Sequence, residues 1–476
     1  MGVAERKLAE LQRKLAGITA EFDWWRADAG DNRLLRKHQS QIIRMTDQLG
    51  GLAGRVEDEI KRARRDGGDI LVTSRDLQLR ILEVHRLWDF FRSKLNLRYV
   101  GWFGPYLAVA DEFAWACYRP ALDHDSRVDV PAAAVKTAPL VFLNGEFSPF
   151  THLRQSPFEV EKVDGALDSV DFLQVLYALP VPVIGLPWYQ VAHLPDVVAI
   201  AHEVGHDVAR DFGLASATEA HLRAATAALP GPRRNRWFGW LPEIFADLYG
   251  ILGAGPAFAS ALTDLLAADP ALIAAELAEA SPGTHPPAAL RIELAAQALK
   301  QIGFPQDAAV QRAAWREAYG PADPDEPFLT DAEGVIRGLL DGQYPQFGKR
   351  RLRDVITFSA GQQADAGADA EAVLDGREPA SDDIRCLVAA ARLAFDRDLG
   401  RYHGATAAGA KTAQELILDR AVAAMNDRPR AGDDEPESAS DEDREAPAVR
   451  AAREDREAGA DLFNLITSLA RKQQEG

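Results

Sequence analysis

From Val197 to Gly213 the chain reads VVAIAHEVGHDVARDFG. No other stretch constrains the fold as tightly, because it must be a helix with one apolar side and one imidazole-bearing side. No proline interrupts it, Asp196 is a suitable N-cap and Gly213 a suitable C-terminal stop. At helical spacing Val197, Ala201, Val204, Val208 and Phe212 form one stripe. His202 and His206 share a face roughly opposite, beside small Ala199 and Ala209, and Glu203 lies about a quarter-turn away. Two imidazoles on successive turns of a rigid helix fix part of a tetrahedral metal site. The glutamate between them can then act on the metal-activated water as general base. The same spacing suits two histidines on the wet face of an amphipathic helix, so a third ligand decides between the readings.

GWLPEIFADLYGILG supplies one. At helical spacing Glu243, Ala246, Asp247 and Gly250 share a face, and apolar residues cover the rest. Such a helix is buried, and two carboxylates one turn apart on it are costly to desolvate unless they are partnered. Metal coordination by Glu243, and a hydrogen bond to Asp247 from a ligand histidine, would meet that cost and fix the ring's tautomer. Arginines or backbone amides are the alternative partners. Ala246 and Gly250 are small enough for a close helix–helix approach. Downstream, SPGTHPPAALRIELAAQALKQIGFP opens a helix at Pro286-Pro287 that runs to about Gln301. His285 precedes it, where it could reach a cleft and donate to a developing oxyanion or stand as a satisfied structural histidine, and Arg291 projects from its second turn.

The 476 residues divide by texture into a helical region (1–125), a core (126–310), a helical extension (311–425) and an acidic, polar tail (426–476). The tail is read as disordered and ends in the short amphipathic ADLFNLITSLARK. The first region is either a layer packed on the core or a module for a partner. In the core, APLVFLNGEFSPF reads as a strand or hairpin turning near Asn144-Gly145, and LPVPVIGLPWY as a proline-bounded edge strand. Arg233, Arg234 and Arg236, interleaved with Trp237 and Trp240, are read as a loop whose tryptophans pack and whose arginines are solvated.

A formal net charge of −18 argues against nucleic acid or an anionic membrane as partner. Two distant cysteines, Cys117 and Cys386, and an N-terminus without an apolar signal core fit a reducing, cytoplasmic setting. Prolines or glycines break both long uncharged runs, so no membrane-spanning helix is expected.

HEVGH, then EIFAD, then THPPAALRI resembles the gluzincin zinc metallopeptidases, and most of all the branch of CaaX-processing and heat-shock membrane proteases. That branch shows HExGH, a third-ligand glutamate in an ExxAD-like context, and THPxxxxR, in this order. The resemblance covers about Pro180 to Phe304. It implies a mainly α (α+β) fold, with a zincin-like core containing a small sheet and flanked by helical regions. It implies Zn2+ held by His202, His206 and Glu243, with Glu203 as base. It further implies that Asp247 stands behind a ligand histidine, that His285 stabilises the transition state and that Arg291 supports that region. It also implies that substrate adds as a strand along an edge strand, for which VPVIGLP is placed.

The expected function is a zinc-dependent endopeptidase acting on a protein or peptide substrate. Its helical flanks or tail would contact a regulatory partner. The alternative is a non-catalytic, zinc-stabilised scaffold.

Overall fold

The computed structural model describes residues 2–31, 35–65, 70–126, 137–145, 149–152, 181–278, 285–320, 327–404 and 410–427. The tail from 428, including its amphipathic segment, lies outside the described residues. As expected, the fold is mainly α with a small sheet.

Helices α1 (Val3–Asp31), α2 (Gln39–Arg65) and α3 (Ile70–Asn96) pack on one another as a bundle. Leu11, Leu15, Ile18, Phe22 and Trp25 keep helical spacing on α1 and are all buried. Phe22 and Trp25 meet Trp88 of α3 edge-on, with ring centroids 5.4 and 5.6 Å apart. The indole N–H of Trp88 donates to Glu21 Oε1 at 2.8 Å, so the bundle's largest core residue leaves no polar atom unpaired.

After α4 (Gly104–Asp123) come the strands β1 (Leu140–Asn144), β2 (Phe150–His152) and β3 (Val183–Pro187). Their order is β1-β3-β2, with β1 parallel and β2 antiparallel to β3. Two expectations are corrected by this order. β1 and β2 do not form a hairpin across Asn144-Gly145, because β3 lies between them. The proline-bounded segment is the central strand, not an edge. Its prolines cost no ladder bond: Pro182 contributes its carbonyl to Leu140 N–H, and Pro187 is the last residue of the strand.

Side chains alternate across this sheet with period two. Leu140, Phe142 and Val183 join the core of the α1–α3 bundle, while Val141, Leu143, Ile184 and Leu186 join the second, larger core. The bundle is therefore a layer against the sheet. On the outer edge of β1, Asp111 accepts from Val141 N–H and Arg98 donates to Val141 C=O, both side chains being buried. Arg98 also pairs with Asp111 at 2.9 Å and donates to His38 Nε2. This charged pair occupies hydrogen-bonding positions that another strand would use.

The larger core holds α5 (Ile200–Asp211), α6 (Ala215–Ala225), α7 (Gly231–Ala254) and α8 (Pro256–Leu266); α9 (Pro270–Ala278) instead buries Ile273 in a small separate cluster with Trp315 and one side of α10 (Ala288–Ile302), whose other side joins the larger core. Further on come α11 (Pro305–Tyr319), α12 (Pro327–Asp341), the short strands β4 (Gln343–Tyr344) and β5 (Arg350–Arg351), and α13 (Leu352–Val355). The last helices are α14 (Ala360–Leu374), α15 (Ile384–Arg397), α16 (Leu399–His403) and α17 (Ala413–Asp427). Buried residues of α4, α5, α7, α10, α12, α15 and α17 form one continuous cluster. Residues 1–125 thus feed both cores, and the helices after 311 complete the second. Cys117 and Cys386 are both buried and free.

Among the described residues no single helix is long and apolar enough to cross a membrane; α8 and the start of α9 are apolar enough together but meet at 101°.

Candidate metal centre

Helix α5 is seated by its apolar stripe: Val197, Ala201, Val204, Val208 and Phe212 are all fully buried. Its far end is tied to α4 by Tyr118 OH, which donates to Asp211 at 2.6 Å. Asp196 is not its N-cap. Residues Leu194–Ala199 form a 3-10 segment ahead of the helix, and Ala199 occupies the cap position without a side-chain bond. Gly213 does end it, at φ +64°.

Helix α7 crosses α5 closely. A Cβ on Gly205 would stand 2.9 Å from Ala246 Cα and from Tyr249 Cβ, and one on Gly253 would stand 2.9 Å from Ala201 Cβ. The glycine inside HEVGH is therefore what lets the helix carrying Glu243 approach the helix carrying the histidines. Gly250 has a different role from the one expected. It lies under the Phe258 ring, which a Cβ would meet at 2.4 Å. Gly205→Ala must push backbone against backbone, and an overpacking cost of about 1–3 kcal/mol is expected in urea unfolding. A variant as stable as the wild type would show that the helices can separate freely.

The crossing brings His202, His206 and Glu243 together, with one donor atom from each within 4.8 Å of the others. His202 Nε2 and His206 Nε2 are 3.2 Å apart, and they lie 3.4 and 3.5 Å from the two oxygens of Glu243. Donors bound 2.0–2.1 Å from a tetrahedral zinc stand roughly 3.3 Å apart. Glu243 Oε2 is buried and aligned with no hydrogen-bond donor among the described residues, although His285 Nε2 lies 3.1 Å away. Two imidazoles and one carboxylate are ligands that zinc accepts. The residues present fit the ion on spacing, chemistry and an orphaned carboxylate oxygen.

Behind the cluster, His202 Nδ1 is 2.8 Å from Asp247 Oδ1. Arg291, in the first turn of α10, grips Asp247 bidentately, with Nε and Nη2 each at 2.7 Å. Asp247 is thus partnered by a histidine and an arginine, while Glu243 faces the rings of His202, His206 and His285. Burial works to lower the His202 imidazole, but its contacts with Asp247 and Glu243 outweigh this and push it up to about 10. Burial and the neighbouring His202 push His206 down to about 4. Burial would raise Glu243, yet the His202 and His285 rings hold it well below the usual carboxylate range.

Glu203 is buried on the cleft side of α5. Burial, with Glu243 nearby, pushes its carboxyl up to about 7 against the opposing pull of His202 and Arg291. His285 stands on the loop ahead of α10 and is 59% exposed. Its ring rests against the Glu243 carboxylate, at the mouth of the cleft.

The cleft continues into a cavity of about 220 Å³ lined by His202, Glu203, His285 and Arg291 on one side. Phe258, Leu262 and Leu265 of α8 form the opposite wall. Sequence reasoning missed this wall because α8 reads as an ordinary apolar helix; only the tight Gly250–Phe258 contact marks it, and that pairing is invisible without the fold. It also missed Thr151 of β2, whose hydroxyl lies 3.2 Å from both carboxylate oxygens of Asp207 and ties the strand to the histidine helix.

Arg233, Arg234 and Arg236 lie in the first turns of α7, not in a loop. Arg233 and the Trp237 indole both donate to Asp331 of α12, and Trp237 and Trp240 pack on Phe328. The tryptophans pack, as expected.

Scanned against family models, curated proteins and solved structures, the chain matches none of them.

Proposed function

We propose that this chain is a zinc-dependent peptidase of the gluzincin type. One observation carries the reading. Two histidine nitrogens 3.2 Å apart each face an oxygen of Glu243, at 3.4 and 3.5 Å, spacings close to those of a tetrahedral ligand set, and a buried carboxyl, Glu203, stands on the same helix turn. His202, His206 and Glu243 would hold the ion, which would supply Lewis-acid polarisation of a water and of the peptide carbonyl.

Asp247 holds the His202 ring in one tautomer and orientation, and Arg291 holds Asp247. Glu203 takes a proton from the attacking water and returns it to the departing amine, a task suited to a carboxyl near neutrality. His285 swings from the mouth of the cleft to donate to the oxyanion. The strand to which an extended substrate adds is β2, not β3. Among the described residues β2 is paired on one side only, and Thr151 fastens it to α5. The α8 wall seats an apolar side chain of the substrate beside the scissile bond.

Metal analysis of the purified chain, joined to terminal-peptide proteomics on cells expressing it, tests this. One chelatable zinc per chain is expected, with new termini at bonds flanked by a bulky apolar residue. A chain that binds no zinc, or binds it and cleaves nothing, would sink the proposal. Zinc without cleavage is the outcome a scaffold would give.

A further inference from the structure

A second groove of about 440 Å³ lies on another face of the molecule and shares no lining residue with the metal cleft. Its walls are Trp102, Pro105 and Tyr106 at the start of α4, Val191, Tyr402, and Leu418 of α17. Trp102 is 74% exposed, and Trp188 and Tyr189 continue the exposed aromatic surface next to Val191. A concentration of exposed tryptophan and tyrosine like this marks a docking surface rather than the scattered apolar residues of an ordinary exterior. Beneath it the hydroxyls of Tyr106 and Tyr402 are buried and find no hydrogen-bond partner among the described residues. Glu415 and Asp419, both exposed on α17, stand on the rim; Asp419 pairs there with Lys411, which also lines the groove, and Glu415 accepts from Thr412.

The chain carries a segment with the matching chemistry. In DLFNLITSLARK, residues 461–472, Leu462, Phe463, Leu465, Ile466 and Leu469 are apolar, and Arg471-Lys472 make the end basic. The body it would dock on belongs to a chain of formal net charge −18. Connectivity favours the same groove. Helix α17 forms one wall and runs on to Asp427, from which residues 428–460 lead to the segment. The way back along α17 from Asp427 to the rim at Asp419 and Glu415 is roughly 12–18 Å. A connection of that length and polar composition spans roughly 30 Å, so the segment is held near the groove at high effective concentration.

We propose that residues 461–472 of this chain dock into this groove, with the apolar residues on the aromatic wall and the basic end at the acidic rim. The reading does not depend on peptidase activity. It does bear on the metal centre, because Val191 and Ala192 line the groove and belong to the turn Trp188–Ala192, which leads from β3 toward α5.

The test uses the full chain with a photo-crosslinking benzoylphenylalanine in place of Phe463. After irradiation, mass spectrometry is expected to find intramolecular links to residues 101–106, 188–192 or 402–419. Trp102→Asp, at an exposed position that leaves the core untouched, should lower their yield roughly tenfold or more, as loss of an aromatic anchor does. Links elsewhere on the chain, no links at all, a covalent dimer showing a second copy in the groove, or a yield indifferent to Trp102→Asp would each overturn the proposal.

Discussion

Glu203→Gln is expected to keep the fold and the bound zinc while lowering peptide hydrolysis roughly 10²–10⁴-fold, the range in which a positioned general base contributes. The substitution keeps the size of the side chain and its capacity to accept a hydrogen bond. It removes only the ability to take a proton. Glu203 is not one of the three converging donors, so zinc content should match that of the wild type. Burial and the nearby Glu243 already disfavour its charge, so a neutral amide there costs the fold little. The measurement is kcat on a peptide substrate, beside metal content and a thermal melt of the same preparation. Unchanged kcat removes Glu203 from the proposed mechanism. Loss of zinc along with activity would place Glu203 among the ligands instead.

The convergence of His202, His206 and Glu243 was legible because each of its signals is local. His202 and His206 are one turn apart, so their sharing a face follows from helix geometry. Glu243 and Asp247 lie on a helix with apolar residues nearly all round, and desolvation alone demanded partners for both. The sequence left Asp247 a ligand histidine, an arginine or backbone amides as partners; the structure brings His202 and Arg291.

Features that depend on pairing distant segments were not legible. The order β1-β3-β2 rests on 38 or more intervening residues between β1 and β3, and the prolines around β3 pointed to the wrong position in the sheet. Nothing local to Arg98 or Asp111 says that together they bond the backbone of Val141 on the β1 edge. The role of Gly205 was hidden for the same reason: its meaning is the 2.9 Å approach of Ala246, which belongs to another helix. The α8 wall carries no polar residue to betray it. Residues whose environment is set by their own helix could be read; those whose environment arrives from elsewhere could not.

Asp247→Ala is expected to fail in two separable ways. First, it strands the Arg291 guanidinium, 7% exposed, without its carboxylate. Breaking a buried pair from one side costs about 3–5 kcal/mol, because the remaining charge keeps its desolvation penalty. Second, it frees His202 Nδ1, so the ring is no longer held in the orientation that aims Nε2 at His206 and Glu243. Loss of such a support typically weakens metal binding about 10–100-fold. Urea unfolding of the metal-free chain reads the first effect, and zinc competition with a chelator reads the second. Adding Arg291→Met to Asp247→Ala removes the stranded charge, so most of the stability should return while zinc affinity stays low. If affinity recovered together with stability, the histidine would need no orienting partner, and Asp247 would serve only to neutralise the arginine.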